Sequence, residues 1–415
     1  MSLIFLNRYF HPDHSATSQM LTDLAFRLAR EGRAVTVITS RQRYDAPDVS
    51  LPPREVLEGV RIIRVWTTRF GRDRLLGRAV DYATFYAAAA WALWRAARQG
   101  DVIVAKTDPP MLSVLAAPLA RLRRAHLVNW LQDVFPEVAE ALGLGKGRLS
   151  ATAYALLRWL RDRSLRCADV NVAVGERMAE RLASAGVART RIAVIPNWAD
   201  GGLIRPVPHA ENALRREWGL AEAFVVGYSG NLGRAHEFET ILGAIAALER
   251  QADDARPALP RVLWLFVGGG AQLGALRHEA ERRGLTSLRF QPYQPRERLA
   301  ESLSAADVHL VSLRPELEGL IVPSKAYGIA AAGRPAIFIG DENGEIAGML
   351  KAHGCGISVP LGDSTRLAAT VLELAANPEL CRTMGEHARA ALTTTYDVSV
   401  GVRKWAALLD RLQTN

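Results

Sequence analysis

Short runs rich in β-branched and aromatic residues alternate along the chain with longer Ala- and Leu-rich stretches whose apolar positions recur at helical spacing. SLIFLNRYF reads as a strand, SQMLTDLAFRLAREG as an amphipathic helix ending at Gly32, and AVTVITS as the next strand. That order predicts a β-α-β unit with a right-handed crossover, hence a parallel sheet. VRIIRVW, DVIVAKT, AHLVNWL, DVNVAV and RIAVIPN continue the strands, each followed by a helix-compatible segment. FVVGYSG, VLWLFVGGG, SLRFQPY, VHLVSL and PAIFIG repeat the plan in the second half. The pattern predicts two Rossmann-like, doubly wound α/β domains with parallel sheets. Their boundary is expected in the polar, Pro-containing stretch from Asn197 to about Glu222, giving domains over 1–200 and 201–398. Ser399–Leu412 reads as an amphipathic helix with Trp405, Leu408, Leu409 and Leu412 on its apolar side. Residues 399–415 are expected to pack back toward the first domain. Ligands of open parallel sheets bind beyond the C-terminal strand ends, and two such domains facing each other would make a cleft.

Composition narrows the class. At 415 residues, 49% hydrophobic and 23% charged, the chain is globular and long enough for two cores. Its three cysteines, Cys167, Cys355 and Cys381, make no even disulfide framework and suit a reducing compartment. The start MSLIFLNRYF lacks the features of a signal peptide, and no apolar run is long enough to predict a spanning helix. A cytoplasmic location is therefore expected. The net charge is +9, and its division matters: residues 1–200 hold 29 basic against 19 acidic residues, residues 201–415 hold 23 against 24. The positive excess of the first half favours an anionic partner or surface. Only five of 52 basic residues are Lys and no nucleic-acid-binding motif occurs, so nucleic acid is not expected as a partner.

Three loops after strands carry candidate chemistry. His11-Pro12-Asp13-His14-Ser15-Ala16-Thr17-Ser18-Gln19 leads into a helix that Ser15, Thr17 or Ser18 is suited to cap; a plain cap outweighs an anion site on these residues alone. Tyr228-Ser229-Gly230-Asn231-Leu232-Gly233-Arg234 follows the first strand of the second domain. Its glycines permit close backbone approach, and Arg234 can fork onto phosphate oxygens. Val267-Gly268-Gly269-Gly270 is a similar turn. Glu316 to Gly328, continuing to Gly333-Arg334-Pro335, is the richest stretch. Ser324 is the expected N-cap, Lys325–Ala332 the helix and Gly333 its stop. A lysine in a first helical turn opposes the dipole by a few tenths of a kcal/mol, roughly, unless an anion binds there. That points to a diphosphate.

These residues resemble glycosyltransferase family 4, a group with the two-Rossmann GT-B fold. The resemblance rests on Gly230-Asn231-Leu232-Gly233-Arg234, Val267-Gly268-Gly269-Gly270, Ala306-Asp307-Val308, Glu318-Gly319, Pro323-Ser324-Lys325, Ala332-Gly333-Arg334-Pro335 and Pro360-Leu361-Gly362-Asp363. In the first half, Gln132-Asp133-Val134-Phe135-Pro136-Glu137 and Ile195-Pro196-Asn197-Trp198 also match. It spans nearly the whole chain and is nearest to enzymes building exopolysaccharide and O-antigen repeat units, of the colanic-acid or fucosamine-transferase type. The resemblance implies that Arg234 and Lys325 hold a donor diphosphate with N–H groups near Gly233, Gly319 and Ser324. It sets Glu318 beside the donor sugar, and Tyr293 and Gln294 at the nucleotide base. His14, Thr17 and Ser18 are implied to close over diphosphate or acceptor, with Gln132 and Asp133 facing the acceptor. Glu318 and Asp133 are thus the candidate catalytic residues. No D-x-D triplet occurs, and no metal or other cofactor is implied.

Two positions depart from the family pattern. Gly328 stands where members carry a glutamate for the ribose hydroxyls, and Gln132 where many carry histidine. Glutamine can hydrogen-bond a sugar but is no base near neutral pH. On the acceptor side, Arg69, Arg72, Arg74 and Arg78 precede Val80–Ala97, an aromatic- and alanine-rich helix with Asp81 and Arg95 as its only charges. It suits either an anionic bilayer surface or a buried crossover. The combined reading is a retaining glycosyltransferase at the inner face of the cell membrane. It would use a nucleoside-diphosphate sugar, UDP ahead of GDP, and a polyprenyl-diphosphate-linked saccharide acceptor. A nucleotide-sugar 2-epimerase of similar fold and a degenerate, non-catalytic nucleotide-binding partner are the alternatives.

Overall fold

The computed structural model describes residues 2–13, 15–43, 49–70, 75–144, 148–253 and 261–414. It divides into two compact units: Met1–Asn197 with Gly319–Ile321 and Val398–Asn415, and Trp198–Glu318 with Val322–Asp397.

The first unit runs β1 (Leu3–Leu6), α1 (Ala16–Arg30), β2 (Val35–Ser40), β3 (Arg54–Leu57), β4 (Val60–Val65), α2 (Leu75–Ala96), β5 (Val102–Lys106), α3 (Leu112–Arg123), β6 (His126–Trp130), α4 (Glu137–Ala141), α5 (Arg148–Cys167), β7 (Val170–Ala173), α6 (Glu176–Ser184) and β8 (Ile192–Val194). The sheet order is β3-β4-β2-β1-β5-β6-β7-β8. The continuous apolar runs become strands buried on both faces, as a parallel sheet between helices requires. Phe85, Ala89 and Leu93 of α2 and Leu112 and Ala116 of α3 pack on Ile4, Leu6, Ile38 and Ile103.

One strand was missed from sequence. β3 pairs antiparallel with β4, so this sheet is mixed rather than wholly parallel. Glu58 (φ 50°) and Gly59 (φ 78°) make the turn of this hairpin, both in the left-handed region that a tight two-residue turn needs. REVL is half-polar and half-exposed, which hid it from a search for apolar runs.

The second unit runs α7 (Ala213–Glu217), β9 (Ala223–Asn231), α8 (Glu239–Asp253), β10 (Arg261–Gly269), α9 (Leu273–Arg282), β11 (Leu288–Gln291), α10 (Leu299–Ser304), β12 (Val308–Ser312), α11 (Lys325–Ala331), β13 (Ala336–Ile339), α12 (Glu345–His353), β14 (Gly356–Val359), α13 (Ser364–Ala376) and α14 (Pro378–Ala391). Its sheet is parallel, in the order β11-β10-β9-β12-β13-β14. β14 was the second missed strand; GISV is short and opens on glycine.

The last helix, α15 (Val398–Thr414), belongs to the first unit. Its buried Trp405 meets Trp130 with ring centroids 4.8 Å apart, and Arg33 pairs with Asp410 at 2.8 Å. In each sheet the strand order reverses at one point, between β1 and β5 and between β9 and β12. In open α/β sheets ligands bind at such a point, beyond the C-terminal strand ends.

Candidate active site

In the second unit, loops after β9, β10, β11 and β12 converge on the β9/β12 switch point. Gly230 (φ 115°) and Gly268 (φ 130°) are both left-handed, and a Cβ on Gly268 would lie 2.4 Å from the Gly230 carbonyl oxygen. Only glycine permits that approach. The exposed Tyr293 ring lies over Gly268 and Gly269, 3.1 Å from where either Cβ would be. Gln294 Nε2 donates to the Pro292 carbonyl at 3.1 Å, which leaves it local to its own turn.

Lys325 opens α11. Its ammonium sits 3.7 Å from the centroid of the Tyr228 ring and donates to the Tyr228 hydroxyl. It has no carboxylate partner among the described residues, and burial pushes its pKa down to about 7. The lysine is thus poised between charge states until an anion arrives. The Ser229 and Ser312 hydroxyls are buried at the same strand ends without a hydrogen-bond partner among the described residues. Arg234 is exposed and makes no ion pair among the described residues. The Gly233 carbonyl accepts from the backbone N–H of His236 at 3.1 Å and from Gln272 Nε2 at 2.8 Å, fixing the turn that presents Arg234.

Two sequence expectations need correction. Ser324 does not cap α11 with its side chain; its own φ of −66° and ψ of −17° are helical, so the hydroxyl is not directed at the following N–H groups. Nor does Ser15, Thr17 or Ser18 cap α1. Ser18 instead donates to the Asp13 carbonyl at 3.1 Å, while the Asp13 carboxylate accepts from Ser15 N–H at 2.8 Å. The stop at Gly333 is as expected, with φ 62° and its N–H on the Ala330 carbonyl at 3.0 Å.

Glu318 is 9% exposed, and its Oε1 accepts from the Glu345 N–H at 2.7 Å. It therefore occupies the N-terminus of α12, where free N–H groups favour a carboxylate. A Cβ on Gly344 would lie 2.5 Å from Glu318 Oε2, so a side chain there would push the Glu318 carboxylate from this position. Gly319 adopts φ 74°. At Gly328 a Cβ would meet only Leu303 Cδ1 at 3.6 Å, ordinary contact, so packing alone does not demand a glycine.

In the first unit, loops after β1, β5 and β6 meet at the β1/β5 switch point. Asp133 lines a small cavity of about 20 Å³ with Lys106, Asn129 and Arg161, room for about one water. Its Oδ1 is buried without a hydrogen-bond partner among the described residues. Burial, then the charge of Asp108, raises its pKa to about 7, against a hydrogen bond from Thr107. Thr17 Oγ1 donates to Asp108 Oδ2 at 3.1 Å. Gln132 Nε2 donates to Asn197 Oδ1 at 3.0 Å, holding the glutamine against the end of the first unit's span. His14, Arg72 and Arg74 lie outside the described residues.

Sequence reasoning missed Lys106, which is only 2% exposed. Its ammonium donates to the Thr17 carbonyl at 2.7 Å and sits 3.8 Å from the Trp130 ring centroid. The signal was a lysine closing an otherwise apolar strand, VIVAK. Among the described residues no group of three or more His, Cys, Asp or Glu is arranged to hold a metal ion.

Two doubly wound α/β units, each with one switch point between central parallel strands, define a double-Rossmann protein of the GT-B type. The comparisons agree. The family described as Glycosyl transferase 4-like domain matches residues 16–198, and that described as Glycosyl transferases group 1 matches residues 211–391. The chain is 29% identical over 422 aligned residues to the protein of Pseudomonas aeruginosa named "Probable glycosyltransferase WbjE", covering 98% of this chain and 97% of that one. It is 28% identical over 231 residues to WcaI of Escherichia coli K12, named for colanic acid biosynthesis, covering 55% and 54% of the two chains. Among solved structures it resembles Anabaena Alr3699/HepE in complex with UDP-glucose, with TM-score 0.72 and 19% identity over 99% and 100% of the chains. The chain is a GT-B-fold glycosyltransferase related to the family 4 type, and it resembles the colanic-acid and O-antigen group.

Proposed function

We propose that this glycosyltransferase moves a sugar from a UDP-sugar, with retention of anomeric configuration, onto a polyprenyl-diphosphate-linked saccharide at the inner face of the cell membrane. The observation that carries the donor assignment is Lys325, a half-buried ammonium beside glycine-lined strand ends with no carboxylate partner among the described residues. The UDP and UDP-glucose held by Alr3699/HepE favour uridine as the base.

In this reading Lys325 and Arg234 take the diphosphate, with N–H groups near Gly233, Gly319 and Ser324. As the glycosidic bond to the sugar breaks, negative charge builds on the departing diphosphate, and fixed cations there lower the barrier. Tyr293 and Gln294 border the base. Glu318, held by the Glu345 N–H, borders the donor sugar. Asp133 takes the acceptor hydroxyl, with Gln132, Thr17 and Ser18 on the acceptor side. Arg234→Ala is expected to weaken UDP at least tenfold while leaving uridine unchanged, read by calorimetric titration. Equal weakening of both would remove Arg234 from the phosphate role.

The lipid-borne acceptor draws support from the first unit. α2 is apolar on both sides: Phe85, Ala89 and Leu93 are buried, while Trp91 (63% exposed), Val80 and Leu76 face solvent. α2, α3 and α5 pack side by side, and α3 and α5 add exposed Leu122, Leu156 and Trp159. Exposed Arg95, Arg98, Arg121 and Arg163 lie on or next to the same helices. Tryptophan mixed with arginine suits the headgroup region of an anionic bilayer. No helix among the described residues is long and apolar enough to cross a membrane. Flotation with anionic vesicles is expected to fall with added salt and to weaken about tenfold in Trp91→Ser/Trp159→Ser. Binding indifferent to lipid charge, salt and both substitutions would remove this face from the account.

A further inference from the structure

His236 was not singled out by any motif, yet it stands at the switch point of the second sheet. Its Nδ1 lies 2.6 Å from the Ser312 carbonyl oxygen at the end of β12. The next residue along β12's exit, Leu313, is followed by Arg314, whose N–H donates to the Ala235 carbonyl at 3.1 Å. The loop after β9 is therefore tied to the end of β12 on two consecutive residues. The imidazole also stands edge-on to Tyr228, with ring centroids 6.0 Å apart, on the ring that carries the Lys325 ammonium.

The chemistry of the ring follows from that one bond. A carbonyl oxygen only accepts, so Nδ1 carries the proton, and Nε2 of the neutral ring is left with its lone pair. Burial and then the charge of Lys325 push the pKa down to about 3, so the ring stays neutral across the working range. A lone pair repels phosphate oxygens and needs a hydrogen-bond donor from the ligand. Beside a diphosphate, the donors that a nucleotide sugar offers are the hydroxyls of its ribose and of its sugar.

We infer that His236 Nε2 accepts a hydrogen bond from a donor hydroxyl adjacent to the diphosphate, making His236 a specificity-determining residue. This rests on the donor reading above. The test compares the unsubstituted protein with His236→Asn, whose amide can still donate to the Ser312 carbonyl but ends short of the Nε2 position. Each is titrated with inorganic pyrophosphate, UDP, 2′-deoxy-UDP, 3′-deoxy-UDP and UDP-glucose.

The expected result is unchanged pyrophosphate affinity with a loss of roughly fivefold or more for the ligand bearing the recognised hydroxyl. A loss confined to UDP-glucose assigns a sugar hydroxyl. A loss shared with UDP, but absent for one deoxy-nucleotide, assigns the ribose hydroxyl which that ligand lacks. His236→Gln, which carries an amide oxygen further out, should recover part of the loss. Equal weakening of pyrophosphate and nucleotides, or no change for any of them, overturns the inference. Failure of the donor reading would appear separately, as an unsubstituted protein that binds none of the five.

Discussion

Lys325→Met is expected to weaken UDP binding roughly a hundredfold at pH 7, the scale of losing one partner of a desolvated charge pair. Methionine keeps the apolar stem along Tyr228, so the loss reports the ammonium rather than packing. The unsubstituted protein should also show a pH signature. With the site empty, burial holds the Lys325 pKa at about 7. A bound diphosphate stabilises the ammonium and raises that value, so binding above pH 7 takes up a proton. This contribution to affinity is complete below about pH 7 and declines as the pH rises through the window between the two values, by up to about tenfold per unit. The Met variant should lack the alkaline decline. Titrations at pH 7, 8 and 9 in buffers of different ionisation enthalpy read both the affinity and the proton.

The second large effect concerns Asp133. Asp133→Asn should lower the transfer rate about a hundredfold or more while leaving UDP affinity unchanged, as expected for a group that handles the acceptor's proton. Its pKa of about 7 arises from burial and from Asp108, so the reactive carboxylate forms only as the pH rises through neutrality. Asp108→Asn removes one of the two raising causes and should move the acidic limb of the rate profile downward. With Lys325 losing its proton on the alkaline side, the rate should pass through a maximum near neutral pH. A rate flat from pH 6 to 8, or equal loss of rate and UDP affinity in Asp133→Asn, would contradict this role.

What the sequence made legible follows its physics. Strands buried on both faces announce themselves as apolar runs, so both central sheets and the helix at the C-terminus were readable. β3 and β14 were not, because an exposed edge strand and a four-residue strand carry little apolar signal. Gly230, Gly268, Arg234 and Lys325 stood out because they depart from what helix and strand interiors prefer. Lys106 and His236 did not. Their roles rest on contacts with Thr17 and Ser312, which lie 89 and 76 residues away. Ser324 misled for the opposite reason: the residue type of an N-cap was present, but its backbone is already helical.

The central claim is that a nucleoside diphosphate sits on Lys325 at the β9/β12 switch point. Calorimetric titration of the purified protein with UDP, GDP and ADP, each repeated with Lys325→Met, tests it most directly. The account predicts that UDP binds tightest of the three and loses roughly a hundredfold in the variant. Binding of none of them, or UDP binding that Lys325→Met leaves unchanged, would contradict it.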